Sequence, residues 1–173
     1  MPAGSTYTPI ATTTLGSAAA DITFSSISGS YTDLVLVMTG RFDSANTSRE
    51  LRIQVGNGSI DTGSNYSITR IAGYGSGLFS DRVSNSTNMT AGVIPAANAP
   101  SGYIGNAIYQ FQNYSNTTTN KTILNRTNDG NDWTAAVVGL WRSTSAINTI
   151  KIFGLTANLV AGSTATLYGI ASA

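Results

Sequence analysis

The sequence predicts an all-β fold: an antiparallel β-sandwich, jelly-roll-like, over residues 20–173, preceded by an extended N-terminal arm over residues 1–19. Three observations predict it. Short apolar or alternating runs recur along the 173 residues, separated by turns rich in Gly, Asn and Ser. No window of useful length repeats its apolar residues every 3.6 positions between helix caps. No repeat period marks a propeller or solenoid, and no shift of composition marks a second domain, which leaves many short strands packed in two layers.

Taken in order, Asp21–Phe24 opens the strands. Leu34-Val35-Leu36-Val37-Met38 is apolar throughout, as a central strand buried on both faces requires. Leu51-Arg52-Ile53-Gln54-Val55 alternates strictly, so one face is expected in the core and the other in water. Gly56-Asn57-Gly58 then reads as a hairpin turn, because Gly and Asn accept positive φ at little cost. Ser67–Ile71, Leu78–Arg82, Gly92–Ile94, Ile104–Phe111 and Lys121–Arg126 follow. Asn128-Asp129-Gly130-Asn131 is a second turn, and Ala135–Trp141, Thr149–Phe153 and Thr164–Ile170 complete the strands. Only Gly16–Ala20 and Asn46–Glu50 could hold a single helical turn. The first fifteen residues, with Thr12-Thr13-Thr14 and little alternation, read as an arm that packs on a neighbour or stays free.

Composition narrows the chemistry. The chain has no Cys and no His, 10% charged residues, and about a third Ser, Thr and Asn. Acid–base, nucleophilic and metal chemistry near neutral pH therefore have few groups to work with. The nine basic and eight acidic residues give a net charge of +1, too balanced for electrostatic capture of nucleic acid or an anionic membrane. Met1-Pro2-Ala3-Gly4-Ser5-Thr6 lacks the basic start and apolar run of a signal peptide, and no stretch approaches the ~20 apolar residues of a membrane span. Synthesis and retention in a cytosol are expected.

Several motifs invite sharper readings. Asp61-Thr62-Gly63-Ser64 matches the tetrapeptide in which aspartic proteases carry one of two proton-sharing carboxylates. Here it follows Gly56-Asn57-Gly58-Ser59 rather than a hydrophobic strand, and a turn is the better reading. Asp129 and Asp132 flank Gly130, but calcium needs about six to eight oxygens and no EF-hand surrounds the pair. Asp43 and Glu50 are the nearest approach to a carboxylate pair for glycosidase work, yet Arg41, Arg49 and Arg52 lie beside them as ordinary ion partners. No catalytic residue, cofactor or metal site is assigned. The remaining functional material is aromatic: Trp133, Tyr74, Tyr103 and Tyr114 are the candidate surface-contact residues, able to stack on sugar rings or anchor a protein contact. Trp133, beside the Asn128–Asp132 turn, is the expected exposed ring, and Trp141 the expected core one.

One resemblance runs along most of the chain. It rests on Tyr7-Thr8-Pro9-Ile10-Ala11-Thr12-Thr13-Thr14-Leu15-Gly16-Ser17, on Phe24-Ser25-Ser26-Ile27 with Tyr31-Thr32-Asp33-Leu34-Val35-Leu36-Val37, and on Gly63-Ser64-Asn65-Tyr66-Ser67. Asn113-Tyr114-Ser115-Asn116-Thr117-Thr118-Thr119, Gly139-Leu140-Trp141-Arg142-Ser143-Thr144 with Ala146-Ile147-Asn148, and Leu167-Tyr168-Gly169-Ile170 extend it, while Ala72–Ser101 lies outside it. In these pieces the chain resembles short virion-surface proteins, of decoration or fibre type, from tailed phages of cyanobacteria and other marine bacteria. These are strand and turn sequences, so no active site is carried over.

The resemblance implies a non-enzymatic structural protein on a virion surface, made in the host bacterial cytoplasm. The leading expectation is a head decoration or knob protein bound to the capsid. The alternative is a tail-fibre or receptor-binding domain that recognises host surface glycans. Other virion proteins of the capsid or tail are the expected partners, together with further copies of the chain in a homo-oligomer, for which a trimer is one option. Neither nucleic acid binding nor membrane insertion is expected.

Overall fold

Period-2 alternation sends every second side chain of a strand to the same face, so strands of this kind must stack in two layers to hide one face each. In a computed structural model, in which residues 6–171 are described, thirteen strands do so. The larger sheet has eight: β1 (Tyr7–Thr14), β13 (Thr164–Ile170), β3 (Asp33–Gly40), β9 (Gly105–Phe111), β10 (Lys121–Asn128), β11 (Trp133–Trp141), β6 (Tyr66–Tyr74) and β7 (Gly77–Ser86), in that spatial order. The smaller sheet runs β2 (Asp21–Phe24), β12 (Thr149–Gly154) and β4 (Ser48–Asn57), whose other edge pairs with both β5 (Ser59–Ile60) and β8 (Met89–Pro95). All these pairings are antiparallel. The expected all-β sandwich is the observed fold.

The core lies between the sheets. Leu34, Leu36 and Met38 of β3, Tyr109 and Phe111 of β9, and Val137 and Trp141 of β11 face Leu51, Ile53 and Val55 of β4 and Ile150 and Ile152 of β12. Each such aliphatic side chain contributes roughly 1.5–3 kcal/mol on leaving water, which is why no disulfide is needed here. On β3 the opposite face is covered as well: Val35 is buried and Val37 half-buried. The wet face expected for β4 is only partly wet. Gln54 is buried, and its amide donates to the Thr87 carbonyl at 2.8 Å, which satisfies the polar group that alternation alone would have sent to water.

All eleven expected strands are present, and two others were not foreseen. Residues Tyr7–Thr14, expected as an arm, form edge strand β1, paired with β13 from Tyr7↔Ile170 to Thr14↔Thr164. Thr12 and Thr14 hydrogen-bond across to Thr166 and Thr164 at 3.1 and 2.9 Å, and Leu15 and Ala19 donate backbone bonds back to Ser163 and Leu159. The arm reading failed because an edge strand exposes most of both faces and so shows little alternation. Its bulge falls between Pro9 and Ala11, next to a proline that cannot donate to a ladder. Residues 1–5 of that reading lie outside the described residues. Neither proposed helical turn forms: Ser48–Glu50 opens β4, and Ala19 makes a bridge to Leu159. Both expected turns do form. Gly58 takes φ +76° in the β4–β5 hairpin, and Gly130 takes φ +71° between β10 and β11.

Candidate functional site

The four aromatics nominated from sequence do not make one surface. Tyr114 is fully buried. Its hydroxyl donates to the Ser28 carbonyl and accepts from the Tyr31 amide, so it fastens a loop instead of meeting a partner. Trp133 and Tyr74 are register partners at the end of β11 and β6, and their rings stack at 5.4 Å and 18°. Phe79 closes the cluster at 6.2 Å from Trp133, which is only half exposed. Each ring thereby spends a face on another ring. Tyr103 stands apart, in a loop whose carbonyls at Ala97, Ala99, Pro100 and Tyr103 all accept from Arg41. Trp141 is in the core as expected.

The acids weighed for chemistry are committed to structure. Asp61 accepts from the Trp141 indole at 2.7 Å, the Asn65 amide at 2.8 Å and the Gly63 backbone N–H at 2.8 Å. Burial pushes its carboxyl up, but these three donors outweigh burial and hold it below the ordinary carboxylate value. Asp129 uses one oxygen to accept from the N–H groups of Asn131, Asp132 and Trp133, which makes it the clasp of the turn. Asp43 caps Asn158 with two bonds of 2.9 Å, whereas Glu50 pairs with Arg52 at 2.5 Å, the ion-partner role expected of it. Among the described residues, no group of three or more Asp or Glu is placed to hold a metal ion.

The Asp61 arrangement makes a pH prediction. A carboxyl held low in the folded chain contributes stability that is complete above its unfolded value, about 3.9, and is lost as pH falls through the folded value. Asp61→Asn is expected to lower urea stability by about 1–2 kcal/mol at pH 7, the worth of hydrogen bonds to a charged group. The gap to wild type should close as pH drops below about 4. A pH-independent gap in urea titrations at pH 7, 4 and 3 would show that the charge is not what matters.

The surface that stands out lies on the outer face of the large sheet, where sequence reading nominated nothing. Register aligns Val37, Ile108, Arg126, Ala136, Ile71 and Ser80 in one row across β3, β9, β10, β11, β6 and β7. The neighbouring row is Val35, Gln110, Leu124, Val138, Thr69 and Arg82. Between them runs a trough of about 450 Å³ lined by Ile71, Ile108, Leu124, Ala136 and Val138, with Thr69, Gln110 and Arg126 among its polar residues. Ile71 is 65% exposed, Val138 47% and, at the sheet edge, Leu78 92%. A contiguous apolar patch of this kind marks a contact surface more often than scattered exposed residues do. The signal was in the sequence: Ala135-Ala136-Val137-Val138 and Ile123-Leu124 place apolar side chains on both faces of their strands.

No protein-family model and no curated protein matches the chain. Among solved structures it is similar to a single mutant of congerin II, at 14% identity and TM-score 0.38, over 85% of this chain and 98% of that one. It is also similar to alginate lyase Aly36B, at 12% and 0.35 over 92% and 77%, and to the PL-14 alginate lyase of Aplysia kurodai, at 10% and 0.34 over 85% and 72%. No residue, ligand or reaction is carried over from them.

Proposed function

We propose that this chain is a non-enzymatic structural protein of a tailed-phage virion surface, a head decoration or knob protein that docks on the capsid through the outer face of its large sheet. The observation that carries the docking role is the apolar trough of Ile71, Ile108, Leu124, Ala136 and Val138 on a face that neither sheet covers. The assignment to a virion comes from the sequence resemblance along β1, β3, β11 and β13. Commitment of Asp61, Asp129 and Glu50 to bonds within the fold supports a role without catalysis.

The test is co-sedimentation of the purified protein with phage heads that lack it. Saturable binding at many copies per head is expected, reduced by Leu124→Ser. Absence of binding to heads, with binding to tails or host polysaccharide instead, would move the protein to the receptor-binding role.

A further inference from the structure

We infer that the trough receives a protein segment that lays aliphatic side chains along it and sets a carboxylate on Arg126. The inference rests on the docking role proposed for this face and specifies the chemistry of the partner. Arg126 is exposed on β10, between Ile108 of β9 and Ala136 of β11, with Leu124 two residues along the same face. Among the described residues its guanidinium makes no hydrogen bond and no ion pair. Several other cations receive carboxylates from the fold: Arg70 has Asp81 and Glu50, Arg52 has Glu50, and Lys151 has Asp21. The strands that surround it, β6, β9, β10 and β11, contain no Asp or Glu at all.

A guanidinium amid aliphatic side chains becomes a strong site once a partner excludes water, because the local dielectric falls and a carboxylate can engage two N–H groups at once. The same charge argues against a second copy as the occupant. Docking this face on itself would set Arg126 against another arginine, aliphatic side chains or the neutral Thr69 and Gln110, with no carboxylate from these strands on either side. A glycan fits less well, for the trough contains no aromatic ring on which a sugar could stack. Tyr74 and Trp133 are stacked on each other instead. What remains complementary is an aliphatic protein surface interrupted by one acid.

The probe is a random twelve-residue peptide library displayed on yeast and selected against the folded chain, with R126Q and R126E as parallel targets. Both substitutions are on the surface and should leave the melting temperature unchanged. Wild type is expected to enrich peptides with Asp or Glu flanked by Val, Ile or Leu, and to bind them about tenfold or more tightly than their Asn or Gln counterparts. R126Q should abolish that ratio, and R126E should turn the selection toward Lys or Arg. Enrichment indifferent to residue 126, or no enrichment, overturns the inference. So does binding of an oligouronate that depends on Arg126, in place of peptides, or self-association abolished by Leu124→Glu. Head binding that survives R126E would defeat this inference and leave the docking role standing. Acid-selective peptides without head binding would do the reverse.

Discussion

Gly92→Ala is expected to lose about 3–7 kcal/mol of stability. Three costs add. Gly92 sits at φ +104°, where an L side chain is strained by about 1–3 kcal/mol. A Cβ there would lie 1.8 Å from the Thr127 hydroxyl oxygen and 3.0 Å from its Cβ, an overlap that forces overpacking worth about 1–3 kcal/mol. The hydroxyl so displaced now donates to the Ala91 carbonyl at 2.9 Å, a buried bond worth about 1 kcal/mol.

The geometry has a reason. Between Glu50↔Val93 and Arg52↔Thr90, Ala91 and Gly92 together oppose Leu51 alone, so β8 carries a bulge that turns the Ala91 carbonyl toward β10 of the other sheet. Thr127 is next to Arg126, so the clash also presses on the strand that holds the trough. A double variant separates the costs. Thr127→Ala relieves the overlap but not the backbone strain, so G92A/T127A should be less destabilised than the sum of its parts by about 1–2 kcal/mol. Urea titrations of the four proteins check this. A loss below about 1 kcal/mol for Gly92→Ala would mean that the bulge simply relaxes.

Gly92 also shows where sequence reading stops. Gly92–Ile94 was legible as a strand from its apolar residues, but the bulge depends on Thr127 and Leu51, which are distant in the chain. Turns were legible because their cause is local: Gly58 and Gly130 supply positive φ within a few residues of sequence. β1 was not, because its partner β13 lies at the opposite end of the chain and an edge strand needs no alternation. The aromatic nominations met the same barrier. Tyr114 and Trp133 both follow polar sequence, and only the arrival of Tyr31 and Ser28 at one, and Tyr74 and Phe79 at the other, decides how much of each ring water sees. The trough was half legible. Apolar residues at successive positions of β10 and β11 announced two apolar faces, but β3 showed the same pattern with its outer face largely covered. Which strand keeps its second face open is set by sheet order, not by the strand.

Arg70→Met is the second large effect, with an expected loss of about 2–3 kcal/mol. Arg70 is 7% exposed and engages Asp81 through two bonds, Nε to Oδ1 at 3.0 Å and Nη2 to Oδ2 at 2.8 Å. Its third nitrogen stands 3.7 Å from Glu50 of β4, and its guanidinium lies 4.9 Å over the Phe79 ring. Glu50 in turn holds Arg52, which donates to Asn88 at 2.9 Å. One side chain of β6 thus ties edge strand β7 to its own sheet and that sheet to the other. Removing one partner of a buried pair costs about 3–5 kcal/mol because the other is stranded; Asp81 and Glu50 keep partial access to water, which places the expectation lower. A loss of this size corresponds to a melting temperature lower by about 5–10 °C in a chain of this length. Arg70→Lys should recover only part of it, since an ammonium cannot make the two-bond contact. Truncating Asp81 should cost far less in the Arg70→Met background than in wild type, the signature of a shared interaction. Hydrogen exchange adds a spatial readout. Among the described residues β7 is held along one edge only, by β6, so its amides should lose protection first in Arg70→Met, ahead of those in β9 and β10. Uniform loss of protection across the large sheet, or additive effects of the two substitutions, would mean that Arg70 acts through packing on Phe79 and not through its carboxylates.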